Sequence, residues 1–301
     1  MADFRFTVTD EEQGQEVRLL MRKHFDFSSR LRNKIKRNHL LMINGKPAEG
    51  FHRVSSGDVV SVELPDEVSR FEPENIPLDI VYEDEDLMVI NKAPGIVVHP
   101  TKGHLDGTIA NALMYHMGQT GEKFKIRFVN RLDMDTSGLI VVAKNAYTQT
   151  GYIAQSDKGN VTKVYYALVH GSVSSSEGTI DLPIASPLPE SKKRRISEDG
   201  APSVTHYELI ESFEDYSLLR IRLETGRTHQ IRVHLSHIGH PIAGDLLYGG
   251  RQDIITRQAL HAASLAFEHP VKKEALSFEA PLADDIRTAI LSLRPDSSFS
   301  F

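Results

Sequence analysis

The sequence predicts an α+β protein of two unequal domains, and three observations carry that prediction. Its apolar runs are mostly strand-length and are set off by turn residues, with only a few helix-length amphipathic stretches between them. One segment, 65–78, places three prolines among mostly charged neighbours and has little apolar content to bury, so it reads as a linker. A chain of 301 residues is long enough to bury two unequal cores. The domains that follow are a small N-terminal α+β domain at 1–65, a linker at 66–76 and a larger strand-rich domain at 77–301.

Composition narrows the function. With 40% hydrophobic and 25% charged residues the chain is an ordinary soluble globular protein. It has no cysteine, which excludes disulfides, thiolate metal sites and the Cys-ligated zinc nucleobase deaminases, and fits a reducing cytoplasm. The N-terminus lacks an apolar leader and no stretch approaches the length of a membrane span, so a cytoplasmic protein with no membrane partner is expected. A net charge of -6 argues against nucleic acid, but the charge is segregated. Residues 16–50 hold Arg18, Arg22, Lys23, Arg30, Arg32, Lys34, Lys36, Arg37 and Lys46 against Glu16, Asp26 and Glu49. Residues 63–86 are mostly acidic, so one end of the chain suits phosphates.

In the small domain, FRFTVT opens as a strand. Ser28 or Ser29 can cap a helix whose apolar positions Leu31 and Ile35 are four apart, with Arg30, Arg32, Lys34, Lys36 and Arg37 over the remaining surface. A strand LLMIN, the Asn44-Gly45 turn, a second turn at Ser56-Gly57 and an alternating strand from Val59 to Leu64 follow. By itself such a helix is more often a solvated basic face than a binding surface. The order of basic helix, NGK turn and GDVV strand resembles the alpha-L RNA-binding domain, with the opening of that family's first helix loosely echoed by Val17-Arg18-Leu19-Leu20. The resemblance implies RNA contacts from Arg30, Arg32, Lys34, Arg37 and Lys46.

In the larger domain, DIVYED, LMVINK and IVVHP read as short strands, with Pro94-Gly95 turning the second into the third. Thr108 caps a helix, IANALMYHM. The run Leu139 to Ala143 reads as a strand buried on both faces, and a helix follows around Tyr147 to Gln155. KVYYALVHG alternates like a half-exposed strand. The loop at 186–202, with Lys192, Lys193, Arg194 and Arg195, is either flexible and solvated or a phosphate contact. After a strand at 219–223 and the turn Glu224-Thr225-Gly226, Thr228 caps a helix with Ile231, Leu235 and Ile238 on one face, stopping at Gly239. Further strands and a closing helix end the chain, and there is no internal repeat.

Before Leu139 lies a polar knot of Arg131, Asp133, Asp135, Thr136 and Ser137. A carboxylate at the mouth of a buried strand is held rigidly, which suits a nucleophile or base. The same residues make an ordinary turn with a plain Arg131–Asp133 ion pair, and on composition alone the turn is the better reading. DTSG also resembles the aspartic-peptidase motif, but that chemistry needs a second such loop and none occurs. The sequence has no GxxxxGK[ST], HExxH or GxSxG. The histidines at 229, 234, 237 and 240 lack a carboxylate on the same helical face, so they read as packing or RNA-facing groups and no metal is expected.

Taken together, NKAPGIVVHP, NRLDMDTSGL, KVYYALVHG, ETGRTHQIRVHLSHIGHPIAGDLLYG and LHAASLAFEHP closely resemble the RluA family of RNA pseudouridine synthases, in that family's order and at compatible spacings. Where the family usually shows His-Arg-Leu-Asp, this chain has Asn130 in the first position. The resemblance implies a mixed, largely antiparallel bent sheet, isomerisation of uridine to pseudouridine without a cofactor, and an RNA partner. Ribosomal RNA of the large subunit is the first expectation, transfer RNA the second, and a non-enzymatic RNA-binding protein a rival of another class; a monomer is the default. It further implies Asp133 as the attacking carboxylate, Arg232 as the cation beside it and Tyr165 as the ring that stacks on the flipped uracil. Arg131 would enter the space the base vacates.

Overall fold

The computed structural model describes residues 4–294 except 26, 28, 65, 66, 102 and 192, and leaves out the side chain of Arg30. In the small domain β1 (Phe4–Thr7), α1 (Val17–His24), α2 (Ser29–Arg37), β2 (Leu41–Ile43), β3 (Lys46–Pro47) and β4 (Val59–Val62) form an antiparallel sheet ordered β1-β4-β2-β3 under two helices. Asn44 and Gly45 both have positive φ, 52° and 74°, the signature of the two-residue turn whose twist matches a hairpin. Leu31 and Ile35 of α2 pack with Val17 and Leu20 of α1 and with Leu41 and Val60 of the sheet. Tyr147 from the larger domain closes this core, its ring 4.8 Å from Phe4 and 5.5 Å from Phe27. The two domains therefore share apolar surface.

Glu12 anchors the small domain electrostatically. Its buried carboxylate accepts from Lys23 Nζ and contacts His24 Nε2, each at 2.7 Å, and these bonds lower its pKa from 4.5 to about 2. A carboxyl group depressed on folding contributes stability that is complete above its unfolded value and is lost as pH falls through the folded one. Replacing Glu12 by Gln should therefore flatten the acid side of the stability curve between pH 4.5 and about 2, as read by circular dichroism melts across that window.

Residues 67–76 run along the larger domain and are not a free spacer. Ser69 Oγ accepts the Ile126 amide at 2.9 Å, and Asn111 Nδ2 donates to the Glu72 carbonyl at 2.8 Å. The larger domain then follows as β5 (Asp79–Glu83), β6 (Leu87–Lys92), α3 (Ile109–Thr120), β7 (Arg127–Phe128), β8 (Ser137–Ala143), α4 (Ala146–Asp157), β9 (Thr162–His170) and β10 (Glu177–Asp181). It continues with β11 (Ile184–Ala185), β12 (Arg195–Ile196), β13 (Val204–Ser212), β14 (Tyr216–Leu223), α5 (Gln230–His237), β15 (Leu260–Glu268), β16 (Ala275–Glu279) and α6 (Asp284–Ser292). The main sheet is ordered β10-β13-β14-β9-β15-β8-β6-β5, with β16 on β15 and β7 on β8.

All of these pairings are antiparallel except β15 with β8, which run parallel for only two pairs, His261↔Ser137 and Ala262↔Gly138. Beyond them β15 turns to β16 instead, from Ser264↔Glu279 onward, so the sheet forks beside the Asp133 loop. Gly138 permits the close approach: its φ is +110°, and a Cβ there would lie 2.2 Å from the carbonyl oxygen of Ala262. Gly138→Ala should cost about 3 kcal/mol or more, since it combines backbone strain with a clash against backbone. A urea unfolding midpoint close to that of wild type would contradict this.

Four local expectations are corrected. IVVHP is not a strand: the Val97 and Val98 carbonyls instead accept the Ile109 and Ala110 amides at 3.0 and 3.2 Å, satisfying the first turn of α3. Strand β9 is not half-exposed, because it lies centrally between β14 and β15 and is packed with residues of α5 and α6. The described part of 186–202 is not a loose loop: β12 pairs with β11, and Ile196 packs with Ile184, Val233 and Tyr248. Helix α5 is not capped by Thr228. Its N-cap is His229, at φ 57° and without a side-chain capping bond, and the Gln230 side chain ties down the preceding turn, accepting from the Arg227 amide at 3.0 Å and the Thr225 hydroxyl at 2.8 Å.

Candidate active site

The polar knot is both a turn and a site. The Thr136 amide donates to the Asp133 carbonyl at 3.1 Å, closing a turn that delivers Asp133 to the mouth of β8. Buried cations brace the loop from below. Lys92, at the end of β6, donates to the carbonyls of Met134, Ala93 and Ile96 at 2.7, 2.8 and 2.9 Å. Burial lowers the Lys92 pKa to about 7, against the pull of the nearby Asp135 and Asp133 carboxylates. Arg257, before β15, donates to the Asp135 carbonyl at 2.8 Å. Asn130 replaces a ladder partner: its Oδ1 accepts the Val141 amide at 2.7 Å and its Nδ2 donates to the Leu139 carbonyl at 3.2 Å.

Arg232 reaches the loop from α5. Its Nη1 donates to Asp133 Oδ2 at 2.8 Å, while Nε and Nη2 fork onto Asp245 Oδ2 and Oδ1 at 2.7 and 2.9 Å. Asp245 is only 1% exposed at its side chain. Burial opposes the Arg232 charge, but Asp245 and then Asp133 outweigh it and hold the guanidinium firmly protonated. The Tyr248 ring lies under the same guanidinium, 5.1 Å from centroid to Cζ. The Tyr248 hydroxyl accepts the Arg194 amide and contacts His229 Nδ1, both at 2.9 Å, and His229 Nε2 lies 3.7 Å from Asp133 Oδ2. Burial lowers the His229 pKa, so near neutral pH the ring is uncharged.

Tyr165, on β9, lines the same cleft as Asp133, Arg131 and Arg232. Burial, with the Asp133 charge adding to it, pushes the Tyr165 phenol up to about 12. Tyr165 is thus a neutral ring with a hydroxyl that stays protonated at physiological pH. Arg131 stands exposed at the lip, where the cleft opens into a groove of about 510 Å³ that runs past His99, His104 and Thr228.

The structure brings Asp133, Arg232, Tyr165 and Arg131 into one cleft. The small-domain cations are not part of its lining. Arg37 and Lys46 are exposed, and Arg32 turns back to the Phe27 carbonyl and, at 2.9 Å, to Ser29 Oγ. Lys34 is not a free surface cation: it pairs with Glu67, which also pairs with Arg127, and so ties α2 to the larger domain. The Arg30 side chain lies outside the described residues. Sequence reading missed Asp245, Tyr248, Lys92 and Arg257. A lysine ending the apolar run LMVIN and an aspartate inside IAGDLLYGG were the available signals.

With this geometry in hand, the RNA pseudouridylate synthase family model matches residues 86–237. The chain belongs to that family. It is 41% identical to ribosomal large subunit pseudouridine synthase D of Vibrio vulnificus (strain CMCP6), over 97% of this chain and 94% of that protein. It is 39% identical to the uncharacterized RNA pseudouridine synthase YlyB of Bacillus subtilis (strain 168), over 98% of this chain and 99% of that one. Among solved structures, human RNA pseudouridylate synthase domain containing 1 aligns with a TM-score of 0.57 and 29% identity, covering 73% of this chain and 96% of its own. The RluA resemblance and the pseudouridine synthase fold, α+β around a largely antiparallel sheet, are borne out. The chain is a pseudouridine synthase acting on RNA.

Proposed function

We propose that this enzyme isomerises uridines of large-subunit ribosomal RNA, with Asp133 as nucleophile and no cofactor. The names of relatives about 40% identical over nearly the whole chain support the substrate, 41% in the Vibrio vulnificus case. The observation that carries the chemistry is the Asp133–Arg232 contact at 2.8 Å in an open cleft beside Tyr165.

The reaction must break the bond between the ribose anomeric carbon and uracil N1, turn the base, and form a bond from carbon 5 to the same ribose carbon. Attack on the ribose or on ring carbon 6 requires an ionised carboxylate, and Arg232 favours that form by charge and hydrogen bonding. When the glycosidic bond breaks, its electron pair goes to N1. Carbon 5 then bonds to the ribose and must lose its proton, while N1 gains one.

Tyr165 stacks on the loosened uracil and can donate a hydrogen bond, but a phenol at about 12 does not ionise to take the carbon 5 proton near pH 7. Flipping the uridine costs a few kcal/mol, least in a loop, and Arg131, exposed in the cleft lining, would fill the vacated stack. The exposed cations Arg37 and Lys46 of the small domain add sequence-independent phosphate contacts whose affinity falls with salt.

The test is to incubate the enzyme separately with unmodified large-subunit ribosomal RNA and with unmodified transfer RNA, digest to nucleosides and separate pseudouridine chromatographically. Pseudouridine in ribosomal RNA alone is the expected result. Pseudouridine confined to transfer RNA would replace the substrate while leaving the chemistry intact.

A further inference from the structure

The last described helix, α6, lies outside the cleft, yet a chain of close polar contacts joins it to the nucleophile's loop. Arg257 is the joint. Its Nη1 donates to the Asp135 carbonyl at 2.8 Å and its Nη2 to Ser137 Oγ at 3.3 Å, so one guanidinium touches the loop on the C-terminal side of Asp133 twice. The other edge of the guanidinium forks onto Asp285, with Nε to Oδ2 at 2.6 Å and Nη2 to Oδ1 at 2.7 Å. Asp285 is itself fixed, since its Oδ1 accepts the amide of Ile286 at 2.8 Å in the first turn of α6.

The backbone of Arg257 meets the second half of the site as well. A Cβ at Gly244 would lie 1.9 Å from the Arg257 carbonyl oxygen, so this segment packs directly against the turn that presents Asp245 to Arg232. Arg257 thus braces both the loop that carries Asp133 and the turn that holds Asp133's cation. Neither Arg257 nor Asp285 lines the cleft.

We propose that Asp285 is a positioning residue for the reaction: through Arg257 it sets the Asp135 carbonyl and hence where the Asp133 carboxylate stands. This rests on the reading of Asp133 as nucleophile. The physical need is clear. A catalytic group must be held close to its productive geometry, and a displacement of about 1 Å can cost about 10²-fold in rate. A guanidinium with one partner can swing about that bond, whereas a fork on one edge and a carbonyl on the other fix its plane.

The test compares Asp285→Asn with Asp284→Asn. Asp284 is the preceding residue on the same helix, 90% exposed at its side chain, and pairs at 2.9 Å with the surface residue Arg287. The two substitutions remove the same charge from the first turn of the same helix. In Asp285→Asn the amide turns a donor toward a guanidinium that offers only donors, so the fork fails. The expected result is a kcat about 10- to 100-fold lower in Asp285→Asn with KM for RNA within about twofold of wild type. Asp284→Asn should match wild type in both, and Asp285→Glu, which restores a carboxylate, should recover part of the lost kcat.

A kcat for Asp285→Asn equal to wild type, a rise in KM with kcat unchanged, or a loss that only follows the folded fraction in a melt at the assay temperature would each overturn the proposal. Hydrogen exchange at the amides of residues 133–137, read by mass spectrometry, makes the same comparison without activity. Faster exchange in Asp285→Asn than in Asp284→Asn supports the positioning role, and equal exchange overturns it. If wild type forms no pseudouridine, the nucleophile reading falls on that ground, and the exchange comparison decides whether Asp285 sets the loop.

Discussion

Asp133→Asn should leave a folded, RNA-binding protein that forms pseudouridine at least about 10⁴-fold more slowly. The substitution is nearly isosteric, and the amide oxygen can still accept the Arg232 Nη1 donor that now reaches Asp133 at 2.8 Å. Arg232 also keeps its fork on Asp245, so the loop and helix α5 hold their places. What is lost is the charged carboxylate that the proposed mechanism uses as nucleophile, since a neutral amide attacks carbon poorly. Single-turnover conversion measured beside filter binding of the same RNA separates the two effects. Tight binding with no conversion is the expected pair of results, and conversion within tenfold of wild type would remove Asp133 from the mechanism.

Arg232→Met should damage both stability and rate. Asp245, with its side chain only 1% exposed, would keep the Tyr248 amide at 3.3 Å but lose both guanidinium donors. Breaking a buried pair from one side costs about 3–5 kcal/mol, because the remaining charge stays desolvated. The rate should fall by about 10²–10³-fold as the cation beside Asp133 disappears. Adding Asp245→Asn to Arg232→Met should return part of the stability, since it removes the orphaned charge, and none of the activity. Urea midpoints and kcat measured on the four members of this cycle decide it. Full stability in Arg232→Met alone would mean that Asp245 finds another partner.

Much of this architecture was legible because it is local. The Asn44-Gly45 hairpin, the Thr108 cap, whose Oγ1 accepts the Asn111 amide, and the strand at Leu139–Ala143 each follow from side-chain chemistry a few residues apart. Asp133, Tyr165 and Arg232 are candidates through the family's motifs, because from the residues alone an ordinary turn is the better reading of Asp133.

The unread parts are contacts between distant positions. Ser137 and His261, whose side chains meet at 3.0 Å where the sheet forks, are 124 residues apart. Lys92 and Met134 are 42 apart, and Arg257 and Asp135 are 122 apart. No periodicity in β6 announces that its terminal lysine folds under the Asp133 loop. The RNA contact expected of Lys34 comes from the alpha-L resemblance, which says nothing of its ion pair to the larger domain. Its partner Glu67 lies 33 residues away in the proline-rich segment, which by composition reads as a linker. The start of α5 differs for another reason: Thr228 is a good cap by type, but His229 takes the left-handed conformation at φ 57° and becomes the N-cap, with no side-chain capping bond.

The most direct test of the central claim is tritium release from ribosomal RNA labelled at carbon 5 of uridine, counted against the pseudouridine formed in the same reaction. The mechanism predicts one tritium released for each pseudouridine, with no release when Asp133→Asn replaces the wild type. A wild-type protein that is folded and binds this RNA, yet releases no tritium from it, would contradict the claim.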